Sequence, residues 1–326
     1  MTGPLDGIRI VELASWMFIP SAGSVLVDWG ADVIKVENPD GGDPQRGLIT
    51  SGLLPGGAGG VNFMIEQPNR GKRSAAINLA HPDGRETFLT LIETADVLLT
   101  NYLPPIRRKL QIETDDLRAR NPNLIIARGS GQGPLGPDAE KGGYDGASFW
   151  ARGGMGAVFP AGDDGWPQGQ AGPAFGDVMG GLATAGAIAA ALVQRERTGE
   201  PSVVDVSLLA TAMWQLSPLV VASKLFGMSS LPRGDRRKVP NPGVNTYRTG
   251  DDRYISLILL QSDKHWDQFA EKLERPELVD DPRFADSAAR AENAEACVTI
   301  IDEAFAERTL DEWTQRLDDF SGVWTP

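Results

Sequence analysis

The chain is poor in the side chains on which many active sites depend. Its 326 residues include one cysteine, Cys297, and two histidines, His81 and His265. A single cysteine excludes an intrachain disulfide and favours a reducing cytoplasm as the location. No CxxC pair or HExxH motif is present, so we expect no metal site. A Ser-His-Asp triad is also disfavoured, because neither histidine lies beside a nucleophile elbow.

Basic charge and long apolar runs are scarce too. There are 31 Lys plus Arg against 44 Asp plus Glu, a formal net charge of −13. This excess of negative charge repels nucleic acid and anionic membranes, so neither is an expected partner. The most apolar stretch, Val178 to Val193, is shorter than the roughly 20 residues that span a bilayer. Its many glycines and alanines instead favour a tightly packed internal helix.

Strand and helix patterns alternate through the first two thirds of the chain. A short helix ending at Gly30 separates the first two predicted strands, and Asp83 is the predicted N-cap of a later helix. Further helices are predicted over 178–197 and 208–226. The rhythm predicts an α/β fold with a parallel sheet covered by helices. The predicted strands are IRIVEL, ADVIKVE, SAAINLA, ADVLLTNY, LIIARGS and SVVDVS.

The last third has a different organisation. The basic segment LPRGDRRKVPNPG predicts a linker, and YRTGDDRYISLILL predicts a hairpin that turns at Gly250 and Asp251. Helices are predicted around 264–273 and 292–305. We therefore expect a large domain over 1–226, followed by a linker and a small α+β domain over 227–326.

Glycine and proline dominate residues 129–176, which predicts a long loop region, either disordered or functional. A GxGxxG pattern occurs at Gly131, Gly133 and Gly136, but Pro134 and Pro137 interrupt it. No amphipathic helix follows whose N-terminus could meet a pyrophosphate. A plain glycine-rich loop is therefore favoured over a dinucleotide site.

Asp177 lies where this loop meets the strongly helical segment. A helix N-terminus stabilises a carboxylate through its dipole and its free backbone amides, so Asp177 is a candidate nucleophile or simply an N-cap. Gly176, Gly180 and Gly181 leave room beside it for a ligand, or for close helix packing. The spacing alone leaves both alternatives open.

A series of motifs in family order resembles the class III CoA-transferases, which include formyl-CoA and carnitine-type CoA transferases and 2-methylacyl-CoA racemases. The resemblance runs from Leu5 to the end of the chain. Its motifs are PLDGIRIVEL, GADVIKVENPDGGDPQRG, NRGKRSAAINL, ADVLLTNYLPP, NPNLIIARGSGQGP, GGYDGAS and FGD…RERTGEPSVVDVSLL.

The resemblance implies a Rossmann-like large domain that binds coenzyme A, a smaller domain, and an interlocked homodimer. It implies an acyl-CoA donor, a carboxylic acid acceptor, and Asp177 as the nucleophile that carries CoA as an aspartyl thioester. Tyr144 matches an active-site tyrosine near the nucleophile. The implied CoA contacts are Trp16, Met17, Phe18, Leu79, Asn101, Tyr102, Arg108, Lys109 and Leu208.

The cationic run Arg107, Arg108 and Lys109 suits phosphates in an otherwise acidic protein, and its alternative is a solvated helix face. Formyl-CoA transferases have other residues at Asn38, Met17 and Leu48, which favours a more apolar acyl group than oxalate. The chain ends at Pro326, where family members usually continue back to the large domain.

Two other functions stay open. A 2-methylacyl-CoA racemase of the same fold would move an α-proton, using a histidine at the position held here by Tyr144, before Asp145. Tyrosine, with an ordinary pKa of about 10, is a poor base near neutrality, which disfavours this reading. The third possibility is a CoA-binding protein without catalysis, which the presence of Asp177 disfavours.

Overall fold

The computed structural model describes residues 3–52, 61–159, 165–228 and 235–326. The chain forms two compact units, residues 1–231 and 232–326. Residues 229–234, which include the start of the predicted linker, lie outside the described residues.

A six-stranded sheet in the order β3-β2-β1-β4-β5-β6 forms the centre of the first unit, and all its neighbouring strands are parallel. The order reverses between β1 and β4, where Leu13 lies beside Thr100. At such a reversal a crevice opens outside the carboxyl ends of the strands, and ligands bind there. The strands are β1 (Arg9–Leu13), β2 (Asp32–Glu37), β3 (Arg73–Ala76), β4 (Val97–Thr100), β5 (Ile125–Ser130) and β6 (Val203–Ser207).

Helices cover both faces of this sheet, which confirms the predicted α/β class. Successive residues of a strand point to opposite faces of the sheet, and each face has its own hydrophobic core. Ile10 packs with α1 and α8 on one face, whereas Val11 packs with α4 on the other. Burial on both faces explains why these strands read as continuous apolar runs. The helices are α1 (Phe18–Asp28), α2 (Gly47–Thr50), α3 (Phe63–Asn69), α4 (Pro82–Glu93), α5 (Pro104–Leu110), α6 (Thr114–Arg118), α7 (Met155–Val158), α8 (Phe175–Thr198), α9 (Leu208–Gln215) and α10 (Ser217–Phe226).

Glycines allow α8 to lie very close to α1. A Cβ atom at Gly180 would stand 2.6 Å from the Phe18 ring, and one at Gly181 would stand 2.6 Å from Cβ of Ser21. Contacts that short do not occur between real side chains, so these two glycines serve helix packing. Close packing fixes the N-terminus of α8 against the loop that follows β1.

The apolar helix α8 is long and apolar enough to cross a membrane, as is the bent pair α9–α10. Within the first unit, however, α8 contributes Ala185, Ile188 and Leu192 to the core that it shares with α1. Its burial along one side agrees with the packed helix expected from its glycine and alanine content.

Over residues 235–326, the second unit joins an antiparallel sheet to five α-helices. Strands β7 (Val244–Arg248) and β8 (Tyr254–Ile258) form the predicted hairpin, which is confirmed, and β9 (Trp324–Thr325) pairs with β8. A core rich in aromatic side chains holds this unit together. Its helices are α11 (Ser262–Lys272), α12 (Glu277–Asp280), α13 (Ser287–Glu292), α14 (Ala294–Ala306) and α15 (Leu310–Arg316).

Three local predictions were wrong. The N-cap of α4 is His81, whose Nδ1 accepts from the amide of Asp83 at 3.3 Å, while Asp83 lies in the first turn. The helix predicted over 208–226 breaks at Leu216 into α9 and α10, because Pro218 cannot donate a helical hydrogen bond. The region 129–176 is not a loop throughout, since it holds a π-helical turn (Gly146–Arg152) and α7.

Candidate active site

A cavity of about 190 Å³ lies in the first unit, at the point where the strand order reverses. Segments that follow β1, β4 and β5 meet there with the first turns of α8 and α9. The convergence follows from the topology, because parallel strands deliver their following loops to one edge of the sheet. We call this the Asp177 cavity. Its lining residues are Trp16, Phe18, Asn101, Leu103, Gly129, Ser130, Gly131, Gly142, Gly143, Tyr144, Asp177 and Leu208.

Asp177 is the only acidic side chain among the lining residues that the structure describes. It lies in the first turn of α8, is half-buried, and forms no side-chain hydrogen bond with any described residue. Burial, and then the nearby carboxylate of Asp145, raise the pKa of Asp177 to about 7. A carboxylate without a partner, facing a cavity, is available to a substrate.

Asp145 supports the helix that carries Asp177. The N-cap of α8 is Ala174, in the left-handed conformation and without a capping side chain. Asp145 supplies the missing cap from another segment, since its Oδ2 accepts from the amide of Gly176 at 2.9 Å. Burial raises the pKa of Asp145, against the opposing effect of that amide. Two neighbouring carboxyl groups in a poorly solvated place disfavour full ionisation of both.

Space is tight at Gly176, the residue before Asp177. A Cβ atom at this position would stand 2.2 Å from the Phe149 ring and 2.5 Å from Oδ1 of Asp145. The glycine therefore allows Asp145 to reach the backbone of α8, rather than opening space for a ligand.

Tyr144 precedes the π-helical turn and is exposed. Its carbonyl accepts from the amides of Ala147 and Ser148, which fixes its backbone at the start of that turn. Its ring meets that of Trp16 edge-on, with the centroids 5.4 Å apart. Such turns are frequent at functional sites. The two residues before this turn both lie near Asp177: Tyr144 lines the same cavity, and Asp145 bonds to the amide of Gly176.

Six of the residues proposed from the family resemblance line this one cavity. They are Trp16, Phe18, Asn101, Tyr144, Asp177 and Leu208. Met17 does not, because its side chain is buried against Met64 and Ala174.

Leu79 and Tyr102 line a second cavity of about 110 Å³. Leu13, at the end of β1, and Leu110, at the end of α5, also line it, so its walls come from the same edge of the sheet. Burial raises the pKa of Tyr102. The lining of this second cavity is largely apolar.

The cationic run on α5 divides into three roles. Arg107 is half-buried and donates to the carbonyl of Tyr102 and to Glu113, so it holds the local fold. Arg108 is exposed and pairs with Glu140 at 2.8 Å. Lys109 is exposed and has no ionic partner among the residues that the structure describes. Only Lys109 is therefore free to meet an anion without breaking an existing pair.

Sequence reasoning missed several lining residues, namely Leu103, Gly129, Ser130, Gly131, Gly142 and Gly143. The first four follow or end β4 and β5. Applying the carboxyl-end rule to every predicted strand would have found them. Sequence reasoning also gave Asp145 no role in supporting α8. The hydrogen bond between Asp145 and Gly176 joins residues 31 apart in the chain, so no local pattern indicates it.

Comparison with known proteins supplies the family. The model of CoA-transferase family III matches residues 5–326. The chain is 32% identical over 317 residues to (R)-2-hydroxy-4-methylpentanoate CoA-transferase of Clostridioides difficile, covering 97% of this chain and 77% of that protein. It is 30% identical to cinnamoyl-CoA:phenyllactate CoA-transferase of Clostridium sporogenes, with 96% of this chain and 75% of that protein covered.

Similarity of structure agrees with the sequence match. A crystal structure of a CaiB/BaiF family protein from Brucella suis superposes with a TM-score of 0.84 at 31% identity, covering 100% of this chain and 84% of that one. The family match over nearly the whole chain and the named relatives lead to one conclusion: the chain belongs to CoA-transferase family III and is an enzyme that transfers coenzyme A between an acyl-CoA and a carboxylate.

Proposed function

We propose that the transfer proceeds through Asp177 as a covalent carrier of CoA. The observation that supports this is the position of its carboxylate, unpartnered among the described residues and facing the cavity at the N-terminus of α8. A poorly hydrated carboxylate is a better nucleophile than a hydrated one, and preorganised backbone amides nearby would stabilise developing negative charge.

The steps balance without a further reactant. Asp177 attacks the thioester carbonyl of the donor and releases CoA thiolate, which leaves an anhydride between the donor acyl group and Asp177. The thiolate then attacks the Asp177 carbonyl carbon, so the donor acid leaves and an aspartyl-CoA thioester remains. The acceptor carboxylate attacks this thioester, which gives a second anhydride and releases CoA thiolate again. CoA thiolate finally attacks the acceptor acyl carbon and frees Asp177.

We also propose apolar monocarboxylic acids, including 2-hydroxy acids, as the substrate class. Trp16, Phe18, Leu103 and Leu208 give the Asp177 cavity apolar walls, and no cationic side chain is among its described lining residues. A second carboxylate on the acid would therefore lack an ionic partner there. The two relatives above are named for 2-hydroxy-4-methylpentanoate and phenyllactate, and both acids belong to this class.

A cytoplasmic homodimer is the proposed working state. Helices α9 and α10 expose a group of large apolar side chains, including Trp214 at 80% and Phe226 at 74% exposure within the single chain. Apolar surface of this kind marks interaction sites, and a second copy of the chain is the partner that the family resemblance implies.

Covalent trapping tests the mechanism. The protein is incubated with acetyl-CoA, hexanoyl-CoA or cinnamoyl-CoA and with 2-hydroxy-4-methylpentanoate or phenyllactate, and CoA exchange is followed by mass spectrometry. Hydroxylamine should then convert Asp177 into a hydroxamate only when an active acyl-CoA is present. Asp177→Ala should abolish both exchange and trapping while leaving CoA binding nearly unchanged.

Asp83→Ala is the matched control, because Asp83 also lies in the first turn of a helix, but outside the cavity. Native exchange without acyl-CoA-dependent trapping would contradict the covalent mechanism. Rapid deuterium uptake at the α-carbon of a chiral 2-methylacyl-CoA in heavy water, without trapping, would instead support the racemase alternative.

A further inference from the structure

Trp16 has a backbone conformation that a large side chain rarely adopts. Its φ angle is 69°, in the left-handed region. Such strain persists only where the surroundings impose it, and it concentrates at functional sites. At this position it directs the chain from the end of β1 into α1 and places the Trp16 ring against Tyr144 in the cavity wall.

Two side chains hold this turn, Asp43 from the segment after β2 and Asn101 from the segment after β4. The Trp16 amide donates to Oδ1 of Asp43 at 3.0 Å. Beyond β4, Asn101 accepts from the Ser15 amide at 3.1 Å and donates to the Ser15 carbonyl at 2.6 Å. Three hydrogen bonds therefore fix two consecutive residues, and none of them involves the indole ring.

A buried group of charges holds Asp43 itself. Asp43 and Lys35 are only 2% and 3% exposed, and Lys35 Nζ donates to Oδ2 of Asp43 at 3.0 Å. Lys35 also pairs with Glu12 at 3.2 Å, and Glu12 pairs with Lys72 at 2.6 Å. Two cations and two carboxylates thus balance within this group. Both carboxylate oxygens of Asp43 accept hydrogen bonds within this buried network, which holds the side chain in one orientation. Asp43 can therefore hold the Trp16 amide in a fixed position.

We propose that Asp43 and Asn101 are positioning residues for CoA transfer: they hold Ser15 and Trp16 in the left-handed turn that sets the Trp16 ring beside Tyr144 in the Asp177 cavity. The inference rests on the proposed function. In this proposal, Asn101 acts by holding the backbone of Ser15, because both polar atoms of its side-chain amide already bond to that backbone. Asp43 is not itself a lining residue of the cavity, and it reaches the cavity wall through the backbone of Trp16.

A double-mutant cycle tests whether Asn101 acts through Trp16. Trp16→Gly keeps the left-handed backbone without strain and removes the ring. We expect Asn101→Ala to lower kcat/KM at least about tenfold in the native background, because small displacements of reacting groups are costly. The same change should have little further effect in the Trp16→Gly background. The affinity for CoA alone, measured by calorimetry, should stay within about twofold.

Asn121→Ala is the matched control. The Asn121 amide also donates to two backbone carbonyls, those of Ile92 and Ala95, but Asn121 does not line the cavity. It should leave kcat/KM unchanged. Trp16→Phe, which keeps an aromatic ring, should recover part of the activity that Trp16→Gly loses.

Asp43 requires a different variant, because removing one member of a buried ion pair is strongly destabilising. Lys35→Met with Asp43→Leu removes both charges and leaves the pair of Glu12 with Lys72. Apolar replacement of a whole buried pair is often tolerated. This double variant should fold and yet show the same loss of kcat/KM as Asn101→Ala.

A spectroscopic arm separates this inference from the proposed function. The protein is labelled with 5-fluorotryptophan, and the ¹⁹F resonance of Trp16 is assigned by its loss in Trp16→Phe. Asn101→Ala should shift or broaden this resonance, and Asn121→Ala should not. An unchanged resonance, or additive effects of Asn101→Ala and Trp16→Gly, would overturn the inference. Absence of transfer in the native protein would instead contradict the proposed function, and the ¹⁹F measurement would still decide the inference.

Discussion

At the scale of single residues, the candidate site is governed by two carboxylates with different environments. Asp177 faces the cavity without a hydrogen-bonding partner among the described residues, whereas Asp145 is buried and bonded to the backbone of α8. Burial, and then the neighbouring carboxylate of Asp145, raise the pKa of Asp177 to about 7. The proposed nucleophile is therefore only partly ionised near neutral pH.

This arrangement predicts the pH dependence of transfer. Since the reactive form of Asp177 is ionised, kcat/KM should rise as the pH passes through about 7 and then level off. Asp145→Asn removes a neighbouring negative charge, so it should move this rise to lower pH by up to about one unit. Asp138→Asn serves as the control, because Asp138 lies in the same region but outside the cavity, paired with Lys141 and Arg152. A profile that Asp145→Asn leaves unchanged would contradict the coupling.

The same pKa predicts a cost to stability. Between pH 3.8 and about 7, folded Asp177 keeps a proton that the unfolded chain has lost, so stability falls as the pH rises through this window. Asp177→Asn should therefore raise the free energy of unfolding by roughly 1–3 kcal/mol at pH 8 and by little at pH 4. Urea titrations at both pH values measure this. A gain equal at both pH values would show that ionisation is not its cause.

At the scale of elements, α8 does two things that sequence spacing could not separate. Asp177 lies at its start, and Gly180 and Gly181 lie one turn later against α1.

Helix, strand and parallel-sheet patterns could be predicted because they depend on local apolar periodicity. The break at Leu216, the turn at Trp16 and the cap from Asp145 could not, because each depends on contacts with distant residues or on a local backbone angle.

Substitutions within α8 test the close packing. Gly181→Ala should destabilise the fold by about 1–3 kcal/mol, because its Cβ would overlap Ser21 and the α1 backbone. Gly186→Ala, in the same helix, meets no atom within 4 Å and should stabilise by up to about 1 kcal/mol through helix propensity. Thermal unfolding of both variants measures the difference. Stabilisation by Gly181→Ala would contradict the packing role.

At the scale of the whole molecule, the doubly wound sheet accounts for where the cavity lies, and the exposed face of α9 and α10 accounts for the proposed dimer. The family resemblance named six residues that do meet in one cavity, because motifs at strand ends converge in this topology. The same reasoning could not reveal the Asp43 network. Its members lie on separate segments, and no local pattern marks a buried ion pair.

A charge on the exposed face of α9 and α10 should prevent association. Trp214→Asp, at a position 80% exposed within the chain, should convert a dimer into a monomer in sedimentation experiments, because an unpaired charge in an apolar interface is costly. Leu135→Asp changes another exposed apolar residue, in the loop after β5 rather than on these helices, and should leave the dimer intact. A native protein that sediments as a monomer would contradict the proposed assembly.

The covalent role of Asp177 can be tested most directly by the fate of its own oxygen atoms. In the proposed sequence, an acceptor acid labelled with ¹⁸O in its carboxylate leaves one labelled oxygen on Asp177 after each complete transfer. After several turnovers, the peptide that contains Asp177 should gain the mass of ¹⁸O, located to that residue by fragmentation. Transfer of CoA at the native rate with no ¹⁸O in Asp177 would contradict the account.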